Sequence, residues 1–474
     1  MKANLQKLLA PALAALLLLP CFVACGEATQ DPKDTTATTV AGTVEEGETQ
    51  FDPQIPTKNY DKEFNITGVY YIRDWATATE DERGDPLSDT IFERGIKIKD
   101  HLGVDLVDID AGDWTTYSHA IKRTVSSGDD AYQLVATHCY EGVTTLLSSN
   151  AVFDFSDFET VNLDAPYWAT DFMEDVKVGD KYLIGYNDFC LSVTISFVFN
   201  KALMDEYNLT YPYEDVRNQT WTMDKLMALT ANVAKDNGDG VWDVKDTYGI
   251  TGWGWTDTIS FVTACDIKIV DRNEDGLYQV AYTKNTEKTY SALQKVNKLY
   301  HAESSHFCGP YGTNVNFAEG TALMSTVDTT YLSTLRDVTF SFGVLPYPKY
   351  DEKQADYKSL NWNGVLLVPG SIKDSKMVGD VLELLAFYTP PVKKAFYEDL
   401  LGSKIADAPE DAEMLDVIWG SVVTDIGMIS ANLTGMDPLL YMFPNLCMDD
   451  ISGFSSYVAT YSKNANRALE RLYS

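Results

Sequence analysis

One run rich in oxygen donors is Asn237-Gly238-Asp239-Gly240-Val241-Trp242-Asp243-Val244-Lys245-Asp246. Asn237, Asp239, Asp243 and Asp246 fall at positions 3, 5, 9 and 12 of an EF-hand-type calcium loop, with Gly240 at the turn position. Position 1 falls on Lys235, with the nearest acid, Asp236, one residue late. Asp246 is also shorter than the bidentate Glu that such loops carry. The run therefore reads either as a structural Ca²⁺ site or as an acidic turn. Asp271-Arg272-Asn273-Glu274-Asp275-Gly276 opens in the same way, but Tyr282 stands where the last ligand belongs, so it reads as a hairpin turn. The five histidines, His101, His119, His138, His301 and His306, form no HExxH and no zinc spacing. The chain has no P-loop, no dinucleotide fingerprint and no GxSxG. No paired-carboxylate motif stands out, although 70 acidic residues leave such a pair open. With 28 Tyr, 20 Phe and 9 Trp, the aromatic content exceeds what a plain core needs and points to a stacking surface.

These groups must be held by regular elements, and the period of the apolar residues supplies them. Asn65 to Ile72, Val104 to Ile109 and Tyr132 to Thr137 read as strands. Between them, Ile91, Gly95, Ile98 and Leu102 lie on one helix face, and Tyr117, Ile121 and Val125 on another. Strands alternating with helices imply a mainly parallel sheet covered on both faces, with ligands beyond the carboxyl ends of the strands. Trp75 follows the first strand, Trp114 the second, and His138 and Tyr140 the third, so all four are candidates for a ligand cleft. The formal charge of −33 argues against extended contact with nucleic acid or anionic lipid, both of which require a basic surface.

Lys2 and Lys7 precede the apolar run Leu8 to Leu19, which has the form of an export signal and is too short for the ~20 residues of a spanning helix. Phe22-Val23-Ala24-Cys25 resembles a bacterial lipobox, with Cys25 as the acylated new N-terminus and ordinary secretion as the competing reading. The two or more chains of an acylated Cys suffice for stable anchoring at a cell membrane. Residues 26–60 hold eight Thr and seven acids, the composition of a disordered tether reaching roughly 30 to 35 Å. Cys139, Cys190, Cys265, Cys308 and Cys447 are odd in number and widely spaced, which favours buried free thiols over a disulfide framework. The Asn-x-Thr triplets at Asn65, Asn208, Asn218 and Asn432 would be glycosylated only in a eukaryotic secretory route, against which the lipobox argues.

Six segments in order then resemble the bacterial extracellular solute-binding proteins of the sugar-transporter type, the receptors of ABC importers. They are Ser127 to Val135, Asp180 to Tyr186, Val198 to Leu203, Trp221 to Asp224, Phe317 to Met324 and Phe342 to Pro348. The resemblance implies an α/β, periplasmic-binding-protein-like type II fold, with two lobes joined by hinge crossings around a ligand cleft. It places a signal peptide at 1–24, the acylated Cys and tether at 25–60, lobe one at 61–187 plus 365–405, and lobe two at 188–362 plus 406–474. Asp188 and Asn363 would lie at the crossings, with Trp362 beside the last of them. Asp328 and Tyr331 correspond to a segment that often faces sugar in the family. Trp253 and Trp255, flanked by glycines, would share one face of an extended segment and suit the flat C–H faces of sugar rings, with core packing as the competing reading.

The implied function is that of a lipid-anchored, non-catalytic and monomeric receptor. It would capture a carbohydrate, in particular an oligosaccharide, and pass it to a membrane permease without a cofactor. A surface-anchored glycoside hydrolase, or the same trap holding a peptide or another small polar solute, are the alternatives.

Overall fold

A computed structural model describes residues 52–187, 194–308, 315–362, 364–402 and 409–473. In chain order the strands are β1 (Lys62–Gly68), β2 (Val104–Asp108), β3 (Leu134–His138), β4 (Ile195–Asn200), β5 (Tyr248–Trp253), β6 (Val270–Arg272), β7 (Tyr278–Val280), β8 (Ser305–Cys308), β9 (Ala322–Asp328), β10 (Phe342–Leu345), β11 (Ser359–Leu360), β12 (Gly364–Leu367) and β13 (Val422–Val423).

They form two main sheets. The first has the order β12-β3-β1-β2, with β1 parallel to β2 and β3, and β12 antiparallel to β3. The second has the order β10-β4-β9-β5-β8, with β5 parallel to β8 and β9, and β4 antiparallel to β9 and β10. The chain is thus an α/β protein of two lobes, and it passes from the first sheet to the second between β3 and β4 and back again between β10 and β12.

Local chemistry explains the elements. The helix Pro86–Leu102 starts at Asp85, whose carboxylate accepts from the Leu87 and Ser88 N–H groups, with Pro86 in the first turn. It ends at Gly103, whose φ of 63° suits a residue without Cβ and turns the chain directly into β2. Ile91, Ile98 and Leu102 on this helix are buried, as their spacing predicts. So are Tyr117 and Ile121 on the helix Tyr117–Ser126. The first strand is shorter than the apolar run suggests: β1 ends at Gly68, and Tyr70–Arg73 forms a turn of helix. The acidic run at 271–276 is the turn of the β6–β7 hairpin.

Buried carboxylates hold the later helices in place. Asp411, on the helix Pro409–Gly420, accepts from Lys201 Nζ at 2.9 Å, Tyr213 Oη at 2.6 Å and the Val344 N–H at 3.1 Å, which ties that helix to β10. Asp425 accepts from the Ile269, Val270 and Gly427 N–H groups. Burial pushes its pKa up to about 6, and the three N–H groups hold it from rising further. On the first lobe, Glu383 accepts from Tyr167 Oη and Trp168 Nε1, the latter at 2.9 Å.

The end of the stretch expected to be a free tether is docked instead. Ile55 is buried, its carbonyl lies 2.7 Å from His101 Nε2, and the Tyr60 N–H donates to the Leu102 carbonyl. Lys58 Nζ and Tyr60 Oη both donate to Oδ2 of Asp380, a side chain with no exposed surface. A polar, Thr-rich composition conceals this because three residues suffice to anchor the segment. Cys25 lies outside the described residues. Among the described residues no helix is long and apolar enough to cross a membrane. Cys265 and Cys447 are buried free thiols, and Cys139 is buried as well.

Candidate functional site

At one edge of the second sheet the carboxyl ends of β5 and β9 meet the start of the antiparallel β4, and a cavity of about 410 Å³ opens there. Its wall includes Ile195 from β4, Trp253 from β5, Thr326, Val327 and Asp328 from β9, and Tyr331 and Leu335 from the following 3₁₀ turn. Thr256 and Asp257, in the first turn of the helix Thr256–Ala264, close one side, and Trp362 from the crossing into the first lobe closes another. Four of the residues singled out in the sequence, Trp253, Asp328, Tyr331 and Trp362, are therefore brought together.

The first lobe continues the aromatic wall. His138, at the end of β3, lies 4.7 Å from Trp362 and 5.3 Å from Trp114, ring centre to ring centre. Trp114 stacks on Tyr71 at 6.0 Å and 16°. His138 Nδ1 accepts from the Tyr140 N–H at 3.1 Å, which leaves the proton on Nε2. Burial pushes its pKa down to about 4, the Trp362 backbone offsetting part of the shift, so the ring is neutral at pH 7. The Tyr71 hydroxyl is pushed well above its usual range, first by burial and further by surrounding charges that include Asp328.

Other candidates lie elsewhere. Trp75 packs edge-on against Phe396 at 5.2 Å, and its carbonyl accepts from the buried Arg94. Tyr140 reaches across to the second lobe, where Oη donates to Asp437 at 3.3 Å and the ring faces Tyr441 at 6.1 Å. Trp253 and Trp255 do not share an extended face. β5 ends at Trp253, Trp255 takes helical backbone angles as the cap of the next helix, and its ring packs 4.5 Å from Tyr441. Asp188 and Asn363 lie outside the described residues.

Asp257 is the central residue that the sequence reading missed. Its carboxylate accepts from Thr326 Oγ1 and from Thr256 Oγ1 at 3.4 Å. Gly252 makes room for it, since a Cβ there would collide with Thr326 Oγ1 and Asp257 Oδ2. The available signal was positional: Asp257 opens the helix that follows a strand of parallel pairing, where ligands gather in α/β sheets.

Burial pushes the Asp257 pKa up to about 7; hydrogen bonds from Thr326, Trp253 and Thr256 oppose the rise, and the Asp328 charge adds to it. Because the folded-state value lies above the ordinary 3.8, the folded protein holds a proton that the unfolded chain has released between about pH 4 and 7. Stability contributed by this group is present at low pH and is lost as pH rises through that window, on the order of 4 kcal/mol in all. Urea melts from pH 5 to 8 are therefore expected to show a falling stability that flattens in Asp257→Asn. An unchanged slope in the variant would refute the assignment.

In the acidic loop, the carboxylates turn inward onto the loop's own backbone. Asp246 Oδ1 accepts from the Asn237 N–H at 2.8 Å and Oδ2 from the Asp243 N–H at 2.6 Å. Asn237 Oδ1 accepts from Asp239 N–H, Asp239 Oδ1 from Val241 N–H, and Asp243 Oδ1 from Lys245 N–H. Among the described residues no group of three or more His, Cys, Asp or Glu side chains is placed to hold a metal ion.

No protein-family model matches the chain, and no curated protein is significantly similar in sequence. Solved structures are similar in fold. An ABC transporter solute-binding protein from Thermotoga lettingae bound with alpha-D-tagatose superposes with a TM-score of 0.56 at 13% identity, over 86% of this chain and 100% of the other. The GacH receptor of Streptomyces glaucescens, solved unliganded and with acarbose, gives 0.56 at 13% identity over 87% and 98%. An ABC substrate-binding protein from Listeria monocytogenes in complex with cycloalternan gives 0.52 at 13% identity over 87% and 97%. With its two α/β lobes and repeated crossings, the chain has the periplasmic-binding-protein-like fold of the solute-binding proteins of ABC transporters.

Proposed function

We propose that this protein is the substrate-binding receptor of an ABC importer, capturing a carbohydrate between its lobes and delivering it to a membrane permease. The observation that carries the reading is the cavity at the strand ends, lined by the aromatic residues Trp253, Tyr331 and Trp362 together with Asp257, Asp328, Thr256 and Thr326. Sugar rings pack their C–H faces on aromatic rings, while their hydroxyls require hydrogen-bond partners once dehydrated. Trp114, His138 and Tyr71 extend the aromatic surface on the facing lobe, which suits an oligosaccharide.

The receptor would be held at the outer face of the cell membrane through acylated Cys25, after removal of residues 1–24, and would act as a monomer. Lobe one is assigned to 61–187 plus 365–405, and lobe two to 188–362 plus 406–474, with Asp188 and Asn363 at the crossings. Closure is a population shift, driven only by contacts that the closed state makes and the open state lacks.

The test is calorimetric titration of the mature chain with a panel of oligosaccharides, peptides and amino acids, followed by recovery of the ligand. Intact recovery of a bound saccharide, with stabilisation of about 2.7 kcal/mol at a hundredfold excess over Kd, is the expected result. Binding of peptides alone would overturn the carbohydrate reading. One observation favours a second reading: two carboxylates, Asp257 and Asp328, line the same cavity, as a glycoside hydrolase requires. Cleaved saccharide in the recovery step would establish it.

A further inference from the structure

Between β5 and β8 the second lobe carries an excursion that joins neither main sheet, the β6–β7 hairpin. The hairpin is fastened to that lobe by three contacts: the Val280 N–H donates to Asn466 Oδ1 at 2.8 Å, the Tyr278 and Tyr473 rings meet edge-on at 5.0 Å, and Asp425 accepts from the Val270 N–H. It also reaches the first lobe. Tyr278 Oη donates to the Asp175 carbonyl at 2.6 Å, and the Arg272 guanidinium donates to the Glu174 carbonyl at 3.2 Å and to Tyr278 Oη at 2.8 Å. Those carbonyls end the helix Thr170–Asp175, where backbone acceptors have no partner within the helix. This helix is seated on the first lobe, with Met173 buried and Phe172 stacked at 4.3 Å on Tyr186, whose neighbour Gly185 pairs with Leu366 of β12.

Side chains of one lobe thus bond to backbone of the other, and the bonds hold only while the lobes keep their relative angle. A displacement of about 1 Å carries the Arg272 bond past hydrogen-bond range. Tyr278 Oη is at once donor to Asp175 and acceptor from Arg272, so the two bonds are coupled through one hydroxyl. The charges agree with the geometry. Burial raises the Asp175 carboxyl above its usual range, and Lys268 and Arg272 from the second lobe draw it back. In a chain of 70 acidic and 37 basic residues, cations placed at the junction oppose the repulsion of one acidic body by the other. We infer that the β6–β7 hairpin is a strap between the lobes, whose Tyr278 and Arg272 hydrogen bonds must break before the lobes swing apart. Neither residue lines the cavity. The strap therefore acts on the balance between lobe arrangements, and on affinity only through the fraction of protein in the arrangement that binds. It does not depend on what the ligand is.

The experiment is small-angle X-ray scattering of the mature protein without added ligand, beside Tyr278→Phe, Arg272→Gln, Arg272→Lys and the double variant Tyr278→Phe/Arg272→Gln. Tyr278→Phe keeps the ring on Tyr473 and removes only the hydroxyl. Each single loss is expected to raise the ratio of wide to narrow arrangements about fivefold, the equivalent of one hydrogen bond, seen as a larger radius of gyration. The double variant is expected to give the largest radius, and Arg272→Lys, which keeps the charge and a donor, a radius between those of the parent and Arg272→Gln. Near-UV circular dichroism and cooperative melting are expected to stay those of the parent. Equal radii in folded variants overturn the inference, because the contact would then ride on the hinge without restraining it. A larger radius accompanied by loss of the near-UV signal also overturns it, since that reports loosening inside a lobe and not movement between lobes.

Discussion

Trp253→Ala is expected to weaken saccharide binding by about 2 kcal/mol, roughly thirtyfold, while Trp255→Ala leaves affinity near its original value and lowers stability by a similar amount. The two residues are separated by a single glycine, yet their surroundings differ in kind. Trp253 ends β5 and lines the cavity. Gly252 before it lets the strand approach Thr326 and Asp257. Trp255 begins a helix and packs on Tyr441, so its removal leaves a void within the second lobe and takes nothing from the cavity. Calorimetric titration and urea melts of both variants check the pair. Equal losses of affinity would show that the two rings act together on the ligand, contrary to their placement.

A chain beginning at Asp61 is expected to be less stable than the mature chain by about 3–5 kcal/mol, the cost of leaving a buried carboxylate without its partner. Asp380 has no exposed side-chain surface and gives Oδ2 to both Lys58 and Tyr60, so cutting before Asp61 removes both donors at once. Ile55 and the backbone bonds to His101 and Leu102 leave with them. Lys376 Nζ, on the same helix, lies 4.0 Å from the other oxygen, Oδ1, and does not contact Oδ2 in this arrangement. Asp380→Asn in the truncated chain is expected to recover part of the loss, since it removes the charge whose burial is the problem. Urea unfolding of the mature chain, the truncated chain and the truncated variant measures each step. Equal midpoints for the first two would show that residues 52–60 are a true tether.

Both predictions turn on what could be read from sequence and what could not. Alternation of apolar strands with helix-period segments was legible, because burial of one face imposes a period that survives in the chain itself. It placed the helix Pro86–Leu102 and the strands β2 and β3 within a few residues. The order of segments from Ser127 to Pro348 pointed to a two-lobed α/β fold, which the structure has. Strand ends pointed to Trp114 and His138, and the same rule led to Trp75, which the helical turn after β1 directs toward Phe396 instead.

What the sequence by itself determined was the character of each segment, its period, its buried face and its place in the order, since these depend on neighbours within a turn or two. Which side chains meet was decided only by the tertiary structure. Thr326 and Asp257 stand 69 positions apart and Lys58 and Asp380 stand 322 apart, and no local pattern links either pair. Their meeting depends on how the sheets order their strands and how the chain returns across the crossings. A buried carboxylate holds its place only where the fold brings it a donor, and this fold brings Asp257 its donor at the wall of the cavity.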